Sequence, residues 1–205
     1  MSTAVFEGGH QLEGFIKDEV LRMYEEVARH PEKEFHFFHG RRAAEMFGYD
    51  KDWLDRCPDG AVASFAGVGN PHERSRLAEG ETVLDLGSGA GMDSIIAGWQ
   101  VGSSGKVIGV DFNPEMLDKA RAHAAEAGVT QVEFRQGTME DIPEEDESLN
   151  VIISNGVVNL SFRKRRVIEE MFRAIAPGGR VSFTDIVSAR PLSAGVVKDP
   201  KLWAS

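Results

Sequence analysis

Cysteine is almost absent from this chain. Of 205 residues only Cys57 carries a thiol, so no intramolecular disulfide can form; a single thiol fits a reducing compartment and reads most simply as a small buried apolar residue. Positive charge is also scarce. Lys and Arg number 23 against 33 Asp and Glu, a net charge of −10, which disfavours a surface that tracks the phosphates of DNA or RNA. Long apolar runs are missing: none approaches the ~20 residues of a membrane helix. The first ten residues, Met1 to His10, lack the basic-then-apolar pattern of a secretory signal. Nor is there an internal repeat. These absences leave a cytoplasmic enzyme or binding domain. Hydrophobic residues make up 41% and glycine adds 22 more positions, enough for one substantial core and a small appendage.

The most informative segment is Thr82-Val-Leu-Asp-Leu-Gly-Ser-Gly-Ala-Gly91, an apolar strand running straight into glycines at 87, 89 and 91. Glycine lets the backbone turn tightly and approach a ligand, and a helix then begins with its free N–H groups facing that ligand. A dinucleotide fingerprint wants its third glycine at the sixth position, where this chain has Met92. Asp85, just ahead of the glycines, suits a ligand bearing an ammonium group better than one bearing phosphates. The segment therefore points away from NAD and toward S-adenosylmethionine. A second apolar run, Lys106-Val-Ile-Gly-Val-Asp111, ends in a carboxylate at the tip of the next strand, where one side chain can accept hydrogen bonds from both hydroxyls of a ribose. Capping of the following helix falls to Asn113, with Pro114 at the first helical position, which leaves Asp111 free for a ligand.

Apolar residues at helical spacing predict an amphipathic helix over 12–30, a shorter one over 41–47 and a turn or so over 51–56. The glycine-rich stretch from Ser64 to Pro71 reads as a connection too flexible to be core. From residue 81 onward strands and helices alternate: strands 82–86, 106–110, 131–136, 149–154 and 180–187, and helices 91–101, 114–127 and 163–175. Such alternation predicts an α/β fold, a doubly wound, mostly parallel sheet with helices on both faces. The domain division expected is a helical cap over 1–76, a core over 77–190 and a tail over 191–205. Asp85, the glycine bend, Asp111, the turn at Gly137 and Asn155 all fall at carboxyl ends of strands and converge on one crevice.

These residues resemble the class I S-adenosylmethionine-dependent methyltransferases over roughly residues 64–190. Within that class the pattern most resembles the arsenite-methyltransferase-like branch, related to the ubiquinone and menaquinone biosynthesis C-methyltransferases. The segments that carry it are Val83-Leu-Asp-Leu-Gly-Ser-Gly-Ala-Gly91, Val107-Ile-Gly-Val-Asp111, the following Asn-Pro-Glu-Met-Leu, and Ile152-Ile-Ser-Asn-Gly-Val-Val-Asn-Leu160. The resemblance implies a Rossmann-like methyltransferase fold and S-adenosylmethionine as cofactor. It places Asp85, Gly87, Ser88, Gly89 and Gly91 at the methionine end, Asp111 on the ribose hydroxyls and Phe112 on the adenine. Thr138, Met139 and Glu140 would line the adenine's polar edge, Asn155 would lie beside the sulfonium, and Asn70 would belong to a loop covering the cofactor. Phe112 can equally be core, and Glu140 heads an acidic run, Asp141 to Glu147, that reads mostly as a solvated loop.

Two departures shape the functional expectation. Arsenite chemistry in the resembled branch relies on several thiolates, the ligand a soft metalloid requires; here Gly156 stands where that branch commonly has cysteine, and Cys57 lies elsewhere. The class also closes its sheet with further strands, whereas 18 residues interrupted by Pro191, Gly195 and Pro200 follow Val187. The expected fold thus has missing or shortened C-terminal strands, and the open sheet edge calls for cover by a second copy, by a different chain, or by a continuation of the sequence beyond residue 205. No metal is required for methyl transfer, and no catalytic residue is assigned. His10, His36, His39 and His72 fall in the expected cap, where a histidine is the natural base if the acceptor must lose a proton; the aromatic cluster Glu34 to His39 reads as a small subcore with surface histidines or as an apolar acceptor pocket. Arg163 to Arg166 reads as a solvated first helical turn. The expected function is methyl transfer from S-adenosylmethionine to a small-molecule acceptor by an oligomer. The alternatives are a non-catalytic, cofactor-binding partner subunit and, more distantly, a nucleotide-dependent oxidoreductase.

Overall fold

The computed structural model describes residues 38–190 together with Gly14, Arg22, Met23, Glu26 and Arg29. Most of the helix expected over 12–30, His10, His36, most of the aromatic cluster and the tail over 191–205 lie outside the described residues. Short helices α1 (Gly40–Met46), α2 (Lys51–Arg56), α3 (Asp59–Ala63) and α4 (His72–Ser75) lead into the alternating part. It comprises β1 (Thr82–Leu86), α5 (Met92–Val101), β2 (Lys106–Asp111), α6 (Pro114–Glu126), β3 (Val132–Gln136), β4 (Leu149–Asn155), a 3-10 turn at Val158–Leu160, α7 (Lys164–Ala174) and β5 (Ile175–Thr184). The five strands form one sheet in the order β3-β2-β1-β4-β5, and each pairing is parallel.

Strand alternation sorts the side chains between the two faces. Val83, Val107, Val151 and Ile153 pack on Ala97 and Val101 of α5. Leu84, Leu86, Ile108, Val110 and Ile152 point the other way, onto Val167, Met171 and Ala174 of α7. Both faces are buried, as a parallel sheet demands. A third cluster joins α5 and α6 to the small helices through Ile95, Ile96, Leu117 and Ala120 against Ala43, Leu54 and Phe65.

Helix α6 begins where its capping chemistry dictates. The Asn113 side chain accepts from the N–H groups of Glu115 at 2.9 Å and Met116 at 3.3 Å, with Pro114 next in line. At the N-terminus of α5, Gly91 caps the helix with φ +91°. A Cβ there would meet Ala120 and Phe134 at 3.0 Å, so a side chain would prise α6 from the bend.

Three expectations need correction. Strand β5 starts at Ile175 and ends at Thr184 rather than spanning 180–187, because α7 feeds directly into it and Pro177-Gly178-Gly179 is absorbed by a register shift against β4. Helices α3 and α4 were not expected, being too short to show a period. The stretch from Ser64 to Pro71 is not a loose connection. Ser64 and Phe65 are buried, and a Cβ on Gly67 would fall 2.3 Å from the Asn155 amide. Glycine is required there for close approach, not for flexibility. Behind this stretch Arg180 of β5 donates to the carbonyls of Ser75 and Arg76 and pairs with Glu81, tying α4 to the sheet.

Candidate functional site

A cleft opens beyond the carboxyl ends of β1, β2 and β4, at the point where the strand order reverses between β1 and β4. That is where open α/β sheets take their ligands. Its floor is the glycine bend with Met92 and Asp93; its sides come from Val110 to Phe112, from Gly137 to Glu140 and from Val157 to Ser161; Ser64 to Gly67 closes over it.

Of the residues read from the sequence, Gly87, Ser88, Gly89, Gly91, Asp111, Phe112, Thr138, Met139, Glu140 and Asn155 all line this cleft. Asp111 stands at the end of β2. Its Oδ2 accepts from the Gly89 N–H at 2.9 Å, and Oδ1 accepts from the Asn113 N–H at 2.9 Å. Burial pushes its carboxyl above the usual range, against the pull of those N–H groups. Each oxygen retains acceptor capacity for a hydroxyl. Ser88 is 8% exposed and its Oγ has no hydrogen-bond partner among the described residues. A buried orphan hydroxyl in a ligand cleft marks a place where a ligand completes the hydrogen bonding. Glu140 accepts from the Ser161 hydroxyl at 2.6 Å, which joins the two sides of the cleft.

Asp85 and Asn70 do not join the wall. Asp85 is 1% exposed and lies on the α5 side of β1, the face it shares with Val83, where the Ser94 hydroxyl donates to it at 2.6 Å. Alternation along the strand turns it under the helix, not into the cleft. Burial, then the neighbouring charge of Asp93, push its carboxyl up to about 8. Asn70 is spent on its own loop: Nδ2 donates to the Gly48 carbonyl and Oδ1 accepts from the His72 N–H.

Asn155 reaches the cleft with both ends of its amide engaged. Oδ1 accepts from the Val68 N–H at 2.8 Å and the Thr184 hydroxyl at 2.7 Å, while the two hydrogens of Nδ2 are shared among the Tyr49 hydroxyl, the Gly69 carbonyl and Asp93, the last the longest contact at 3.2 Å. It fastens the covering loop to the sheet.

Reading the sequence missed Asp93 and Tyr49, and placed His72 in the expected cap without a partner. Asp93, the second residue of α5, lines the cleft and accepts from the Tyr49 hydroxyl at 2.6 Å and from His72 Nε2 at 3.1 Å. His72 is buried, and Trp53 and Tyr49 meet its ring edge-on. A lone carboxylate after Met92 carries no motif that marks it in the sequence. Cys57 is buried outside the cleft, and burial, followed by the charge of Asp93, pushes its thiol up to about 12. Among the described residues no group of three His, Cys, Asp or Glu side chains could hold a metal. No helix among them is long and apolar enough to cross a membrane.

A doubly wound sheet with a glycine bend, an acidic residue ending β2 and an apolar cleft between them defines a nucleoside-cofactor-binding α/β domain. Residues 77–205 match the family described as Methyltransferase domain, and the chain belongs to that family. Its domain is of the S-adenosylmethionine-dependent class, with S-adenosylmethionine as the cofactor. Among curated proteins it is similar to an arsenite methyltransferase of Halobacterium salinarum, 48% identical over 77% of this chain and 40% of the relative. It is also similar to a demethylmenaquinone methyltransferase of Oceanobacillus iheyensis, 37% identical over 53% of this chain and 46% of the relative. The chain thus spans less than half the length of these relatives. Among solved structures, an arsenic(III) S-adenosylmethionine methyltransferase of Chlamydomonas reinhardtii is 36% identical and superposes with a TM-score of 0.62, covering 78% of this chain and 52% of that one.

The residues present fit the cofactor. The orphan Ser88 hydroxyl and the spare acceptor sites of Asp111 lie in a cleft whose remaining lining is largely apolar, including Val110, Phe112, Met116 and Met139.

Proposed function

We propose that the protein transfers a methyl group from S-adenosylmethionine to a small-molecule acceptor in the cleft over the glycine bend. The observation that carries this reading is the joint placement of Asp111 and the unpartnered Ser88 hydroxyl in one cleft beyond β1 and β2. When bound, the cofactor supplies a methyl carbon on a positively charged sulfur, open to in-line displacement. The chain's own task is alignment and exclusion of water, which for such a displacement account for most of the catalysis. Asp111 would accept from the ribose hydroxyls, and Val110, Phe112, Met116 and Met139 would hold the adenine. Phe65, Val157 and Leu160 would keep water from the acceptor side. That lining suits an apolar acceptor. A thiolate-held metalloid fits these walls poorly, since the sequence's one cysteine is a buried core residue away from them.

The active unit, on this reading, includes a second chain along β5. Among the described residues β5 pairs only with β4, and Phe183 within it, Phe172 of α7 and Ile186 and Val187 just after it are exposed. The test is label transfer from methyl-labelled S-adenosylmethionine into a metabolite extract, with the assembly state of the same sample read by sedimentation. Label appearing in a small molecule, from a sample that sediments as an oligomer, is the expected result. Absence of transfer by a sample that binds the cofactor would instead favour a cofactor-binding partner subunit.

A further inference from the structure

Asp93 is a buried carboxylate with no lysine or arginine paired to it among the described residues; its one ring-nitrogen partner is His72. At 8% exposure it forms three hydrogen bonds: Tyr49 and His72 donate to Oδ1, and Asn155 donates to Oδ2 at 3.2 Å. Gln100 lies 2.9 Å from His72 Nδ1 on the far side of the ring, which orients the imidazole so that Nε2 faces Asp93. The effect of the Asp93 charge reaches the surroundings: it raises the Tyr49 hydroxyl, the Cys57 thiol and Asp85 in turn, after burial in each case. A carboxylate presents about four acceptor sites. Three are taken, and the one left is on Oδ2. In the same cleft wall the buried Ser88 hydroxyl is unpartnered, a second polar group waiting on a ligand.

A carboxylate with no lysine or arginine beside it and one acceptor site left, in a largely apolar cleft, selects a cation that can also donate a hydrogen bond. A sulfonium has no such donor; an ammonium has three. We propose that Asp93 receives the α-ammonium at the methionine end of the cofactor, the role that the sequence pattern gave to Asp85, and that Tyr49, His72 and Asn155 are positioning residues that fix the carboxylate. This assignment rests on the cofactor reading above and adds the residue that recognises the amino-acid moiety.

The experiment is calorimetric titration of the wild-type chain, Asp93→Asn and Tyr49→Phe with S-adenosylmethionine, S-adenosylhomocysteine and 5′-methylthioadenosine. The last keeps the nucleoside and lacks the amino-acid end. Asp93→Asn is expected to weaken S-adenosylmethionine and S-adenosylhomocysteine alike by about 10-fold to 100-fold, the scale of a lost charge-assisted hydrogen bond, and to leave 5′-methylthioadenosine within about two-fold. Tyr49→Phe keeps the carboxylate and deletes one oxygen, so it shifts the same selectivity ratio by a smaller factor, even if the first variant fails to fold. Equal loss for all three ligands would make Asp93 merely structural and overturn the assignment. Loss confined to S-adenosylmethionine would mean that Asp93 senses the sulfonium, and an unchanged ratio in both variants would mean that it senses neither. A wild-type chain that binds none of the three overturns the cofactor reading itself, a result distinct from each of these.

Discussion

At the scale of single residues, the two aspartates around the glycine bend show how position and role separate. Asp85 occupies the place that motif reading assigns to the ligand, yet the strand's two-residue period turns it beneath α5 onto Ser94; that period was visible in the sequence, but which face α5 would cover was not. Asp93 was overlooked because one carboxylate after a methionine has no pattern of its own. What makes it a candidate is three donors from distant segments, Tyr49, His72 and Asn155. Asp111 and the glycines were legible, because a strand end next to a helix start leaves little choice of direction. Asp85 also carries a pH signature. Its carboxyl is raised from 3.8 to about 8 in the folded chain, chiefly by burial. Between those values the folded state keeps a proton that the unfolded state has released, so its contribution makes stability fall as pH rises through that window and level off above it. Thermal melts of the wild type and Asp85→Asn, run from about pH 5 to pH 9, are therefore expected to diverge. The wild type loses melting temperature relative to the variant as pH rises; parallel curves would refute the burial argument.

At the scale of elements, α6 and the strands β1, β2 and β4 follow from capping residues and apolar runs, which act locally. Other elements are set by contacts far away in sequence. Strand β5 runs through Pro177-Gly178-Gly179, which locally signals a turn, because β4 on its flank supplies a ladder to complete. The stretch from Ser64 to Pro71 has the composition of a loop and the burial of a core segment, because Asn155 at the end of β4 holds it in place. Asn155→Ala removes both bonds at Oδ1 and those shared at Nδ2. The expected cost is about 2–3 kcal/mol of stability, given the polar groups left unpaired. Hydrogen exchange at the Val68 amide, which loses its acceptor, should speed up by at least ~10-fold while β1 amides follow only the global change. Unchanged protection at Val68 would show that the loop does not depend on this tether.

At the scale of the whole molecule, the strand order β3-β2-β1-β4-β5 creates one crevice where the winding reverses, and nearly all the residues that carry the motif face it. The alternation of strands and helices makes this architecture legible in the sequence, since parallel crossovers put every strand end on one side. What occupies the far edge at β5 was not legible, because edge cover depends on surfaces outside the strand pattern. The central claim is that the cleft over the glycine bend takes an adenosyl cofactor through Asp111, and one titration tests it most directly: S-adenosylhomocysteine and NAD, each added to the wild-type chain and to Asp111→Ala. The account predicts saturable binding of S-adenosylhomocysteine to the wild type, at least about 10-fold weaker binding to the variant, and no comparable binding of NAD to either. Binding of NAD in preference, or equal affinity of both chains for S-adenosylhomocysteine, would contradict it.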